Sequence, residues 1–177
     1  MEIKAHMENI EYCLPISSSD EKFASFASNE AIKSELLSRH GCIAVSSGKI
    51  IARGCNSYRT YSYDGFIKDS CSCHAEIDVL RQCYRKNIMK KINLYVVRIA
   101  SDGSYANSAP CDECIRMIRI LPFIKYFIYT DSDGNLIKLK PKDYNIEHQS
   151  NGKNAIREKR IKFNVIHKRQ KSIHVHS

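Results

Sequence analysis

A chain of 177 residues, 43% of them hydrophobic, is long enough for one domain with its own core and too short for two domains of ordinary size. Its 28 Lys and Arg against 19 Asp and Glu give a formal charge of +9, and the segment from Lys153 to Ser177 holds eight of those bases against the single Glu158, so it carries +7. No apolar stretch approaches the length of a membrane span, and Met1-Glu2-Ile3-Lys4-Ala5-His6 does not read as a secretory leader, so the eight cysteines are expected as reduced thiols in a cytoplasmic, reducing compartment.

Residues 1–17 show no clear period and read as a lead segment. The run Ser18-Ser19-Asp20-Glu21 predicts a capping box, and Phe23, Phe26, Ala27, Ala31 and Leu36 share one face, so a first helix is expected from 18 to about 38. Cys42-Ile43-Ala44-Val45 and Lys49-Ile50-Ile51-Ala52 flank Ser46-Ser47-Gly48 and predict a hairpin of the first two strands. From 54 to 70 the chain is polar and rich in Tyr, Ser and Asp, the composition of a long loop near a site. Ile77, Leu80 and Tyr84 fall on one helical face, which predicts a second helix from His74 to about Lys86.

Ile92 to Ile99 is almost unbroken in apolar residues and predicts a strand buried on both faces. After a turn at Ser101-Asp102-Gly103-Ser104, Pro110 opens a third helix from Cys111 to Ile120, where its missing N–H costs nothing. Strands follow at 124–129 and 135–139, joined by Asp131-Ser132-Asp133-Gly134. So short a link cannot make a parallel crossover, and the fifth strand should run antiparallel to the fourth. Beyond Pro141 the sequence is polar and charged, with one further strand suggested by Ile161, Phe163 and Val165. The expected division is a lead segment at 1–17, a domain at 18–140 and a basic extension at 141–177.

The chemistry is concentrated in Cys73-His74-Ala75-Glu76 and Pro110-Cys111-Asp112-Glu113-Cys114. One imidazole, two thiols and a carboxylate are what a catalytic zinc site needs: three ligands that leave a fourth position for water, and a group that moves protons. A Cys-x-x-Cys at a helix start lets both sulfurs reach one ion, and the helix N-terminus favours the thiolates, whose two charges balance the metal's. Glu76, two residues after His74 in a first turn, can stand beside an ion without ligating it and act as acid and base. A closed four-cysteine site drawing in Cys71 and Cys73 is the structural alternative, but such sites place their pairs in turns between strands, whereas Cys111 and Cys114 open a helix. Cys13, Cys42, Cys55 and Cys83 read as small, mostly buried thiols, and His167, His174 and His176 as part of a solvated tail.

His74-Ala75-Glu76 followed by Pro110-Cys111-Asp112-Glu113-Cys114 resembles the cytidine and deoxycytidylate deaminase superfamily, over roughly residues 21–140. The resemblance implies a three-layer α/β/α sandwich around a five-stranded mixed sheet, Zn2+ held by His74, Cys111 and Cys114, and Glu76 as the catalytic acid and base. It also implies, from Gly54-Cys55-Asn56 at the end of the second strand, that Asn56 contacts the sugar, and that the backbone N–H of Ala75 reads the base. The histidine ligand is similar to that of deoxycytidylate and tRNA adenosine deaminases, whereas the tight turn at 131–134 is similar to that of free-nucleoside cytidine deaminases. Riboflavin-pathway deaminases share His-Ala-Glu but space their second and third ligands more widely. Members of the superfamily are usually dimers or tetramers, so a homo-oligomer is expected.

The leading expectation is therefore hydrolytic deamination of a cytosine nucleoside or nucleotide, with Arg59 or Lys68 of the long loop meeting any phosphate. A second has the tail at 153–177 hold RNA or single-stranded DNA and present an unstacked base to the zinc; a chain without Trp, and with Phe163 as the tail's lone stacking aromatic, favours the first. A third is a zinc-stabilised binding module without activity, which would have no use for Glu76.

Overall fold

The computed structural model describes residues 2–68, 70–146 and 148–161, so the strand suggested at 161–165 falls almost wholly outside the described residues. Ser47 and Gly48, at φ 48° and 74°, both take left-handed backbone, the geometry of a two-residue turn whose twist matches the strands it joins. Strands β1 (Arg39–Ser46) and β2 (Lys49–Cys55) accordingly pair antiparallel, with Ser46 opposite Lys49. On its other side β1 pairs antiparallel with β3 (Ile92–Ile99), whose last two residues also carry a short strand beyond the expectation, β4 (Tyr105–Ala106). β5 (Ile124–Thr130) runs parallel to β3, and β6 (Leu136–Leu139) antiparallel to β5, so the main path is β2-β1-β3-β5-β6. The antiparallel last strand follows from its link, where Asp131 Oδ1 accepts the N–H groups of Asp133 and Asn135 and Gly134 sits at φ 83°.

The helices cover both faces. The lead segment contains α1 (Glu2–Glu11), which no periodicity announces; its Asn9 is buried and its amide holds both the N–H and the C=O of Asn145. α2 (Ser18–Ala31) begins at the expected residue, but its capping box lies one residue earlier than expected, on Ser17, whose hydroxyl accepts the Asp20 N–H while the Asp20 carboxylate accepts the Ser17 N–H. The helix stops at Ala31, well short of 38. Past that point the Ser34 hydroxyl accepts the Leu36 N–H and donates to the Asn56 carbonyl, a local alternative to helical bonding.

Strand alternation sorts the core into two layers. Ile43, Val45, Tyr95 and Val97 pack on Ala24, Ala27 and Ala31 of α2. Cys42, Ala44, Leu94 and Val96 face the other way, with Val79, Leu80 and Cys83 of α3 (Ala75–Arg85) and Ile115 and Ile118 of α4 (Asp112–Ile120). Each such aliphatic side chain contributes about 1.5–3 kcal/mol on burial. The result is the expected α/β/α sandwich around a mixed sheet.

The described residues between 141 and 157 pack on this body. A 3-10 turn at Pro141–Asp143 leads to Tyr144, 1% exposed, whose ring meets Phe127 and Tyr129 edge-on and whose hydroxyl donates to the Pro110 carbonyl at 2.9 Å. The segment ends in α5 (Asn151–Arg157), capped by Ser150. All eight cysteines are free thiols, and no described helix is long and apolar enough to cross a membrane.

Candidate metal centre and its cavity

The two chemical motifs meet because each ends an extended segment at a helix N-terminus. His74 (φ −74°, ψ 151°) is the N-cap of α3 and Cys111 (φ −70°, ψ 171°) the N-cap of α4. The long loop before α3 is pinched at its root, where Ser57 and Cys73 exchange backbone hydrogen bonds of 2.9 and 3.0 Å. α3 packs closely on β2 at Gly54, where a Cβ would meet the Asp78 carboxylate and oblige that side chain to shift.

His74 Nδ1 lies 3.2 Å from Cys114 Sγ and 3.5 Å from Cys111 Sγ, and all three atoms fall within 4.8 Å of one another. A tetrahedral ion with bonds of about 2.0 Å to nitrogen and 2.3 Å to sulfur would set those atoms about 3.6 Å apart, so the donor set fits zinc. Among the described residues this is the group of three that can hold a metal. Cys71 and Cys73 are turned elsewhere, towards the carbonyls of Gly152 and His74 respectively, so the four-cysteine alternative is not assembled.

Protons hold the trio together in a way that a divalent cation would replace. The hydrogen bond from Cys114, against burial and with help from the His74 ring, brings the Cys111 thiol down to about 4. His74 is held at about 9: burial opposes its charge, but the hydrogen bond and charge of Cys111 and the charges of Glu76 and Glu113 prevail. Glu76, 4% exposed, lies against the Cys114 sulfur, and burial raises its pKa.

A cavity of about 410 Å³ opens beside these groups, within the usual range for small-ligand pockets. Of the residues singled out in the sequence, His74, Cys111, Glu76, Ala75 and Asn56 line it. Asn56 Oδ1 accepts the His40 N–H at 2.9 Å and its Nδ2 donates to the Ser38 carbonyl at 2.6 Å, leaving one donor hydrogen and one lone pair for a ligand. Arg59 is exposed and stands outside the lining, and Lys68 lines a separate pocket of about 200 Å³ on the far side of His74 and Cys114. Tyr58 takes the place in the lining expected of Arg59.

Sequence reasoning passes over His40, Arg98, Asn107 and His148, which also line the cavity. Only Arg98 leaves a signal, as the one charge in an otherwise apolar strand. His148 comes from a segment tied down by the Asp112 N–H, which donates to its carbonyl, and by Lys153, which pairs with the Asp112 carboxylate.

Residues 17–130 match the family described as the cytidine and deoxycytidylate deaminase zinc-binding region, and the chain belongs to it. The chain is therefore a member of a deaminase family whose zinc-binding region it carries with a His/Cys/Cys donor set. Among solved structures it is similar to a cytidine deaminase from Burkholderia pseudomallei, at 17% identity over 75% of this chain and 99% of that one, with a TM-score of 0.53. It is also similar to a dCMP deaminase from the cyanophage S-TIM5, at 22% identity over 66% of this chain and 86% of that one, with a TM-score of 0.49. At 17% identity the likeness to the Burkholderia pseudomallei enzyme is one of fold. No curated protein matches the chain.

Proposed function

We propose that the chain is a zinc-dependent hydrolytic deaminase of a cytosine nucleoside or nucleotide, with His74, Cys111 and Cys114 as ligands and Glu76 as acid and base. One observation carries the reading: an imidazole nitrogen and two sulfurs close enough to share an ion, with a buried carboxylate beside them, in the wall of a nucleotide-sized cavity. Zinc, when bound, supplies a Lewis acid that makes water a nucleophile near neutral pH. Glu76 takes a proton from the attacking water and passes it to the ring nitrogen next to the reacting carbon. Once the C–O bond has formed, the carboxylate takes the second proton from the new hydroxyl and hands it to the amino group, so that the C–N bond breaks, ammonia leaves and the carbonyl of the product remains.

The N–H of Ala75, at the start of α3 where helical N–H groups have no partner within the helix, donates to the carbonyl of the base. The spare donor and acceptor of Asn56 meet the sugar hydroxyls. Self-association belongs to the same reading through the family resemblance. A non-catalytic zinc module is disfavoured because a desolvated carboxylate is costly to keep without a use.

The test is ammonia release by the purified, zinc-loaded protein from cytidine, deoxycytidine, their monophosphates, adenosine, guanine and short oligonucleotides. Release from at least one cytosine nucleoside or nucleotide is expected. Release from adenosine or oligonucleotides alone, or from none of the set, overturns the proposal.

A further inference from the structure

Arg98 is a residue the reaction just described does not use. It sits at the end of β3 on the same face as Leu94 and Val96, directly opposite His40 of β1, so it continues the row facing α3 and α4 beyond the apolar core and into the cavity. Its Nε is buried and has no hydrogen-bond partner among the described residues. Other cations in this body are matched: Arg81 by Asp64, Lys138 by Asp20, Lys153 by Asp112, and Arg119 by two backbone carbonyls. A guanidinium cannot shed its proton, and a buried donor left unmade costs about 1–3 kcal/mol, more when the group is charged. Native structures rarely keep such a donor without a use for it.

The surroundings say what kind of partner is wanted. Among the described residues Glu76 is the lone carboxylate in the cavity lining, and it is placed against the Cys114 sulfur. His40 and His148 line the same cavity, but burial holds the His40 pKa at about 4 and its Nδ1–H goes to the Ser38 carbonyl at 3.2 Å, so its other nitrogen is an acceptor. A planar guanidinium fork offers two parallel donors to an oxyanion, and the His148 imidazole can add one N–H from another element. In a cavity read as taking a nucleoside or nucleotide, the oxyanion that such a fork would meet is a phosphate.

We propose that Arg98, with His148 beside it in the lining, forms an anion-binding subsite of this cavity that selects a nucleotide bearing a phosphate monoester over the free nucleoside. The base and sugar in this statement rest on the deaminase reading; the anion rests on Arg98 alone.

Isothermal titration of the full, zinc-loaded chain with uridine 5′-monophosphate and with uridine, products that are not turned over, tests the subsite. The nucleotide is expected to bind at least about tenfold more tightly, as a charge-assisted bidentate contact implies, and inorganic phosphate is expected to compete with the nucleotide and not with uridine. Arg98→Met should bring the two affinities to within about threefold of each other, and Arg98→Lys, which keeps the charge without the fork, should fall between. Equal affinities in the parent, no binding of either ligand, or a full phosphate preference in a folded Arg98→Met protein overturns the proposal. Should Arg98→Met fail to fold, the phosphate competition and the Arg98→Lys ratio decide in the same sense. A uridine trinucleotide that binds as tightly as the monophosphate, with the same dependence on Arg98, also overturns it, because the anion would then be a phosphodiester. Ammonia release from cytidine as fast as from its monophosphate sinks the subsite and leaves the deaminase standing. No release from any substrate, with an Arg98-dependent phosphate preference intact, does the reverse.

Discussion

Replacing one oxygen of Glu76 by nitrogen separates the two duties of the centre, holding an ion and moving protons. Glu76→Gln keeps the shape and the burial but cannot carry a proton, so kcat is expected to fall by about 10²–10⁴-fold, while elemental analysis still finds one zinc per chain. Turnover equal to the parent would refute the role. Cys111→Ala does the opposite: it removes a ligand, so zinc content and melting temperature should drop together. The residues of this centre are legible in the sequence because ligand chemistry restricts both type and spacing. The rest of the cavity is not, because His40 and His148 are single residues more than a hundred positions apart, brought together only by the fold.

At the level of elements, the start of α2 makes a pH-dependent claim. The Asp20 carboxylate is nearly fully buried; it accepts the Ser17 N–H at 2.9 Å, the Ser17 hydroxyl at 2.8 Å, the Tyr95 hydroxyl at 2.8 Å and the Lys138 ammonium at 2.9 Å. Burial alone would raise its pKa, but these donors outweigh it and hold the group at about 2. The unfolded chain titrates near its ordinary value of about 3.9, so the stabilisation is present above that pH and is lost as the pH falls towards 2. A shift of this size is worth on the order of 2 kcal/mol. Asp20→Asn should therefore destabilise by about that amount in urea titrations at pH 7, and by much less at pH 2.5. A difference that does not change with pH would refute this account. The sequence announces this helix and its first residue but misplaces its cap and its end, since Ser17 and Ser18 are equivalent as text and Ser34 engages the distant Asn56 just past the helix.

On the scale of the whole molecule, the strands are the most legible part, because burial on one face or both writes itself as alternation or as an unbroken apolar run. What escapes the sequence are elements held from afar: α1 through Asn9 and Asn145, and α5 through Ser150 and the Lys153–Asp112 pair. Tyr144 is the anchor of the last of these. Tyr144→Ala should cost about 3–5 kcal/mol as a buried aromatic truncation, and it should also weaken zinc retention, because the lost hydroxyl holds the carbonyl of Pro110 next to Cys111. Tyr144→Phe should cost only about 1 kcal/mol. Chemical denaturation beside a chelator competition would show whether the two effects travel together.

The exchange of hydrogen bonds between Ser57 and Cys73 has a further consequence. Closing a longer loop costs little more than closing a short one, so the exposed stretch at 58–61 can be lengthened or replaced with only a small entropic change, while Phe66 and Ile67 in the core and Asp64 on Arg81 keep the rest of the segment in place. The imidazole that follows the clasp stays anchored by these contacts. Selectivity on the Tyr58 side of the cavity is thereby a detachable trait, open to grafting from one scaffold to another without disturbing the chemistry next door.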